Sequence, residues 1–219
     1  MKINTDGVLI GAFAEAADPQ NILDIGTGTG VIALMLAQRV ANAQIDAVEI
    51  DELAAATAGN NFANSPFSNR LSIFPVGFER FFEEYSDRKY DLIISNPPFH
   101  LNSLESPKAK KALAKHTDED FFERLIKAIA ERLTQNGLCW LVLPLQAAGL
   151  VRGLAKLYKL YVQKIIVVHS FAHSTPHREI VCFGFREISI QISNFTIYKA
   201  PGAYSDEYEQ LLQPYFIAF

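Results

Sequence analysis

Four consecutive residues, Asn96-Pro97-Pro98-Phe99, close an apolar run of strand length, Tyr90-Asp91-Leu92-Ile93-Ile94-Ser95. An amide, two prolines and an aromatic ring at a strand end suit methyl transfer to a planar amine. The lone pair of such an –NH2 is delocalised into its ring or carbonyl. Two acceptors for its two N–H bonds push that pair back onto nitrogen. Asn96 offers its side-chain oxygen and Pro97 its main-chain carbonyl. Proline holds φ at about −65° and keeps the preceding residue extended, so the loop is stiff before a substrate arrives. Phe99 can then stack on the base. A Pro-Pro strand stop with a buried phenylalanine is the plain structural alternative.

A second group lies upstream. Asn21-Ile22-Leu23-Asp24-Ile25 runs into Gly26-Thr27-Gly28-Thr29-Gly30 and then into the helical pattern Val31–Ala37. Strand, glycine turn, helix opens a nucleotide-binding α/β unit, because glycines let the backbone turn tightly and approach a ligand. Val31 stands where the dinucleotide fingerprint has its last glycine, which counts against NAD. The next apolar run, Gln44 to Ile50, carries Glu49 near its end, where a carboxylate can accept both hydroxyls of an adenosine ribose. Ile50 can pack on the adenine face. A glycine turn with a solvated glutamate is the alternative, and Asp24 ahead of the turn argues against it.

Stepping outward from these residues, the 219-residue chain alternates strand and helix. The pattern predicts helix 5–17, strand 22–25, helix 31–39, strand 45–49, helix 52–64, strand 71–74, a short helix near 79–85 and strand 91–95. A lysine-rich loop leads to helix 118–133, ended by Asn136-Gly137. Strand 138–143, helix 145–157 and strands 161–169 and 180–187 follow. Pro201-Gly202 marks a turn before a short final helix. Such alternation predicts one domain over residues 1–219, with a mostly parallel sheet covered by helices on both faces. Thr5 or Asp6 caps the first helix. Its apolar run Val8–Phe13, with the small residues after it, is bounded by Asp6 and broken at Glu15, unlike a signal peptide.

Net charge is −4 and 49% of residues are hydrophobic, so bulk charge does not advertise nucleic-acid binding. Local charge matters more. Lys108, Lys110, Lys111, Lys115 and His116 crowd the segment after Phe99, where phosphates of an extruded nucleotide would lie. Arg152, Lys156, Lys159 and Lys164 read as a solvated face, and the histidines of the loop Ser170–Arg178 as exposed loop residues. Cys139 and Cys182 sit in separate apolar runs and read as buried thiols. No metal-ligand spacing is present. A reduced, cytoplasmic, monomeric protein with no membrane partner is expected.

Together the glycine turn, Glu49 and Asn96-Pro97-Pro98-Phe99 resemble the S-adenosylmethionine-dependent class I methyltransferases, in the amine-methylating branch marked by N-P-P-[FY]. Thr5-Asp6-Gly7-Val8-Leu9, Ile94–Phe99, Ala114-Lys115-His116-Thr117, Phe195-Thr196-Ile197-Tyr198 and Tyr204–Tyr208 narrow the resemblance. They are similar to the bacterial tRNA1(Val) adenine-37 N6-methyltransferases. The resemblance implies a Rossmann-like α/β fold with a seven-stranded sheet ending in an antiparallel hairpin. It implies S-adenosyl-L-methionine as cofactor, S-adenosyl-L-homocysteine as product, no metal, and a tRNA as partner. The cofactor set is Thr5, Asp6, Asp24, Gly26, Thr27, Gly28, Gly30, Glu49, Ile50, Gly77, Phe78 and Asn96. Members of the class commonly place an Asp after the third strand, on the cofactor's adenine amine, where this chain has Gly77-Phe78. Guanine N2 of ribosomal RNA is the rival target, and a non-catalytic cofactor-binding module the rival class.

Overall fold

The computed structural model describes residues 5–98 and 109–216, with side chains from residue 119 onward in the helix that opens at Ala109. The order is α1 (Thr5–Phe13), β1 (Asn21–Ile25), α2 (Val31–Arg39), β2 (Gln44–Val48), α3 (Glu52–Ala63), β3 (Leu71–Phe74), α4 (Phe78–Glu84) and β4 (Tyr90–Ser95). Then follow α5 (Ala109–Arg132), β5 (Leu133–Pro144), α6 (Leu145–Leu157), β6 (Tyr161–Phe171), β7 (Arg178–Gly184), β8 (Gln191–Ala200), β9 (Ala203–Tyr204) and α7 (Asp206–Leu212).

One sheet holds all the described strands in the order β3-β2-β1-β4-β5-β7-β6-β8-β9. The strands from β3 through β5, together with β6 and β8, run one way, and β7 and β9 run against them. Strand residues alternate between two cores, as the period of 2 requires. Ile22, Ile45, Leu92, Ile94, Trp140 and Val142 face α1, α2, α3 and α7. Leu23, Ile25, Ile93, Cys139, Leu141 and Leu143 face α4, α5 and α6. Burial on both faces explains why these strands read as unbroken apolar runs.

The sheet is larger than seven strands. β8 continues it parallel to β6, and two-residue β9 turns back on β8 across Pro201-Gly202. The lysine-rich segment read as a loop is helical from Ala109, and α5 stops at Arg132. Asn136-Gly137 does not end that helix. It falls inside β5, where pairing with β4 shifts between Tyr90 and Leu92.

α1 is shorter than the pattern suggested. Thr5 and Asp6 lie within the described helix, so neither caps it. Its far end is held by Arg39, whose guanidinium donates to the carbonyls of Gly11, Ala12 and Ala14. Val8, Leu9 and Ile10 are buried, which makes the helix part of the core. At the other cap sites the local chemistry is clear. Asp51 accepts from Ala54 N–H at 2.7 Å to start α3, and Ser205 accepts from Tyr208 N–H at 3.1 Å to start α7. No described helix is long and apolar enough to cross a membrane.

Candidate active site

The parallel strands β1 and β4 are neighbours, and Ile25 pairs with Ser95 at their ends. The glycine turn springs from the first and Asn96-Pro97-Pro98 from the second. Ser95 Oγ donates to the Ile25 carbonyl at 2.7 Å, fastening the two loop bases together. Above them lies a cleft of about 660 Å3, of a size that small-molecule sites use. It sits outside the carboxyl ends of the strands, where open α/β sheets bind ligands. A smaller cleft of about 420 Å3 lies near Asn136 and Arg186, at the opposite ends of the strands.

Gly26, Thr27, Glu49, Ile50, Gly77, Phe78, Asn96, Pro97 and Pro98 all border the large cleft. The turn is left-handed at Gly26, Gly28 and Gly30, with φ of 72°, 61° and 88°. Amides of Gly26 and Thr27 donate to the Val48 carbonyl at 2.8 and 3.1 Å, tying the turn to the end of β2. Glu49 extends from that same end. Its Oε2 accepts from Gly28 N–H at 2.8 Å and its Oε1 from Asp51 N–H at 2.9 Å. Each carboxylate oxygen keeps a second lone pair for a hydroxyl on the cleft side. Ile50 beside it is 76% exposed, an apolar side chain largely open to the cleft.

Other predicted residues act at one remove. Asp24 does not border the cleft. It is fully buried beneath the turn, where Thr27 Oγ1 donates to its Oδ2 at 2.6 Å. Burial pushes its carboxyl up to about 7, with Glu49 nearby adding to the rise and the Thr27 hydroxyl and Ala33 amide opposing it. Its Oδ1 has no hydrogen-bond partner among the described residues. Gly30 is also outside the cleft. A Cβ there would come 2.5 Å from Phe62 Cε1, so this glycine lets α2 pack on α3. Thr5 and Asp6 do not border the cleft. Asp6 Oδ2 is ion-paired with Arg178 Nε at 2.8 Å, while the next residue, Gly7, borders the cleft. Asp6 is therefore a tether that sets α1 against the start of β7.

Phe99 and Lys108 lie outside the described residues. Lys110, Lys111, Lys115 and His116 fall within α5, their side chains outside the described set. Arg152 pairs with Glu179, and Lys164 with Glu15 at 3.0 Å while it also lies over the Trp140 ring. Both serve structure. The two thiols are buried on adjoining strands, and burial pushes Cys182 up to about 12.

Gly7, Thr29, Val76, Glu79, Ser95, Phe121 and Arg124, none of them given a site role from the sequence, also stand on the cleft wall. Glu79 and Arg124 form an ion pair of 3.3 Å between α4 and α5. The Gly77-Phe78 dipeptide was visible in the sequence, and Glu79 follows it directly.

The cleft therefore brings a glycine turn, a bidentate carboxylate and a stiff amide-bearing strand end to one place. An adenosine-bearing group fits these residues, since Glu49 and Ile50 present polar and apolar surface side by side. The model of the methyltransferase small domain matches residues 5–157. A tRNA1(Val) (adenine(37)-N6)-methyltransferase from Pedobacter heparinus is 47% identical over 219 residues, covering 100% of this chain and 92% of the relative. The protein of that name from Flavobacterium johnsoniae is 40% identical, covering 99% and 93%. Among solved structures, a predicted O-methyltransferase from Agrobacterium tumefaciens superposes with a TM-score of 0.75 over 98% of both chains. At 16% identity that likeness speaks to the fold alone. By full-length identity to its relatives, the chain belongs to the tRNA1(Val) (adenine(37)-N6)-methyltransferase family, whose Rossmann-like α/β fold it shares.

Proposed function

We propose that this protein transfers a methyl group from S-adenosyl-L-methionine to N6 of adenine 37, beside the anticodon of tRNA1(Val), in the cytoplasm and as a monomer. One observation carries the reading. Asn96, Pro97 and Pro98 border the same cleft as the glycine turn and Glu49, so the amine acceptors and the nucleoside-binding residues serve one reaction space.

S-adenosyl-L-methionine, when bound, supplies a methyl group on a positively charged sulfur. The protein supplies position and exclusion of water, which is where most of the acceleration of such a displacement resides. Glu49 would hold the ribose hydroxyls of the cofactor and Ile50 would offer an apolar surface to its adenine. Asn96 Oδ1 and the Pro97 carbonyl would accept the two N–H bonds of the target amine and so hold its lone pair free for methyl transfer. The amine attacks neutral and sheds its proton afterwards, so a neutral acceptor suffices and no strong base is needed. Pro97 is buried and Pro98 exposed, so the loop is anchored at its root.

An adenine must leave its stack to reach this loop. Phe99 is assigned to stack on it, worth about 1–3 kcal/mol. Lys108, Lys110, Lys111, Lys115 and His116 are assigned to the neighbouring phosphates. An anticodon-loop base, already partly unpaired, costs least to extract.

The test is direct. Incubate the protein with unmodified total tRNA and ribosomal RNA, then digest and identify the methylated nucleoside. N6-methyladenosine in tRNA1(Val) is expected. N2-methylguanosine, or methylation confined to ribosomal RNA, would overturn the substrate while leaving amine methylation in place. No product from either RNA would return the chain to a binding module.

A further inference from the structure

One edge of the sheet, together with α7, carries a row of four aromatic rings. Tyr204 stacks on Tyr208 with centroids 4.5 Å apart and planes 11° apart. Tyr198 stacks on Tyr204 at 5.2 Å and 18°. Phe171 follows Tyr198 at 5.6 Å, tilted by 37°. The inner end of the row is closed, since Tyr208 is buried in the core. The outer end is open, with Phe171 39% exposed. Phe171 pairs with Tyr198 across β6 and β8, on the face opposite to buried Val168, Phe195 and Ile197. On that open face Asn194 is exposed and His169 and Thr196 are half-buried.

The backbone under Phe171 is pinned. Ser174 Oγ accepts from Phe171 N–H at 3.0 Å and donates to the Phe171 carbonyl at 2.8 Å. The Ser174 N–H donates to that same carbonyl at 2.9 Å. The Ser174 carbonyl in turn lies 2.8 Å from His169 Nδ1, and His177 N–H donates to the Val168 carbonyl at 3.1 Å. The loop Ser170–Arg178 is therefore tied back onto the end of β6. β6 runs parallel to β4 and stands three strands along the sheet from it. Phe171 thus ends its strand on the side of the sheet where Asn96 follows β4. Three strand spacings separate the two by about 14 Å.

A single exposed phenylalanine needs no explanation. This one ends a row of four rings, stands on fixed backbone and lies on the side of the sheet that holds the cleft. What suits the open end of such a row is another flat ring. Unpaired bases in an RNA loop offer flat faces, and aromatic side chains take them without demanding a sequence. The distance is too great for the base that enters the cleft and suits a neighbour in the same strand. We propose that Phe171 stacks on an anticodon-loop base beside the target adenine, holding the RNA strand while the target enters the cleft. This rests on the tRNA substrate named under the proposed function.

The experiment is fluorescence anisotropy on the whole protein with tRNA1(Val) assembled from synthetic fragments. In a matched set, one anticodon-loop base at a time is replaced by an abasic site, adenine 37 being left in place. Phe171→Ala should weaken binding of the intact RNA by about 5–150-fold, the range of one base–aromatic stack. Phe171→Leu keeps an apolar contact for Tyr198 but offers no ring face, and should lose about as much. Phe171→Tyr should bind like the parent. At one loop position the abasic RNA should cost the parent a similar factor and cost Phe171→Ala almost nothing further. A merely structural role would not couple to a particular base. Parent-like affinity in Phe171→Ala and Phe171→Leu, or losses that couple to no base, would overturn the proposal. So would a change of oligomeric state in these variants at unchanged RNA affinity, which would give the ring to contacts between copies of the chain. A parent that does not bind tRNA1(Val) would take the substrate reading down as well.

Discussion

The amide of Gly28 donates to Glu49 Oε2 at 2.8 Å, joining the turn after β1 to the residue after β2. The bond orients the carboxylate from behind, so its remaining lone pairs face the cleft without the ligand having to order it. Glu49→Ala removes both this brace and the acceptors proposed for the ribose. Affinity for S-adenosylhomocysteine should fall about 10–100-fold, from the loss of charged hydrogen bonds. Calorimetry on the variant checks this, and parent-like affinity would remove Glu49 from the site.

Asn96→Ala should lower turnover by about 10²–10³, the usual cost of deleting one preorganised polar partner of a transition state. Cofactor affinity should stay within a few-fold of the parent. Single-turnover rates with labelled cofactor make the comparison. Near-normal turnover in a folded variant would return the loop to the role of a strand stop.

Burial holds the Asp24 carboxyl up at about 7 against 3.8 for an ordinary aspartate. Between those values the unfolded chain gives up the proton and the folded protein keeps it. The group's contribution to stability is therefore full below about pH 4 and drains away as pH rises toward 7. Asp24→Asn removes the titration. At pH 8 the ligand-free variant should melt higher than the parent, and at pH 4 that advantage should vanish. Cofactor affinity should move the other way, since a cationic ligand favours the ionised Asp24 that the variant lacks. Thermal melts at both pH values decide the first part and calorimetry the second. An advantage equal at both pH values would show that Asp24 is ionised throughout.

Gly30→Ala should destabilise the fold by about 1–3 kcal/mol through overpacking, because its Cβ meets the Phe62 ring at 2.5 Å and its φ is +88°. Urea titration measures the loss. Adding Phe62→Leu should recover part of it, since neighbours in contact are not additive. A loss no smaller in the double variant would place the cost in backbone strain alone.

The lysine segment should reveal itself through salt. Each phosphate contact contributes a slope of about 0.7–0.9 in the dependence of log affinity on log salt. Replacing Lys108, Lys110, Lys111 and Lys115 by alanine should weaken tRNA binding and flatten that slope. Fluorescence anisotropy over a salt series reads both, and an unchanged slope would dismiss the phosphate role.

The central strands were legible because they are buried on both faces and carry little else than apolar residues. Helices α2 and α6 were legible from their flanking residues, with bounds that match the structure. β8 was not. Gln191, Ile192, Ser193 and Asn194 are all exposed, so nothing in their composition demands a partner strand. At the α5–β5 junction Asn136-Gly137 looked like a helix terminus. The helix had already stopped at Arg132, since Leu133 is drawn into pairing with Tyr90. The cleft was legible where one short segment supplies several wall residues, as in the turn and the strand-end loop. Glu79 and Arg124 come from helices 45 positions apart, and only packing brings them together. The Asp6–Arg178 pair was equally illegible, because its partners lie 172 positions apart in the chain.

The rung that pairs Ile25 with Ser95 fixes more than a distance. Successive strand residues point to opposite faces, so the two loops are in phase as well as in place. A single residue inserted into β4 would not merely push Asn96 outward. It would turn the amide toward the far side of the sheet and leave its neighbour facing the cleft. Two inserted residues would restore the facing but carry the loop about 7 Å past the turn. The lengths of β1 and β4 thus constrain the site as tightly as the residues of the two loops do, because only strands of these lengths keep the loops in phase.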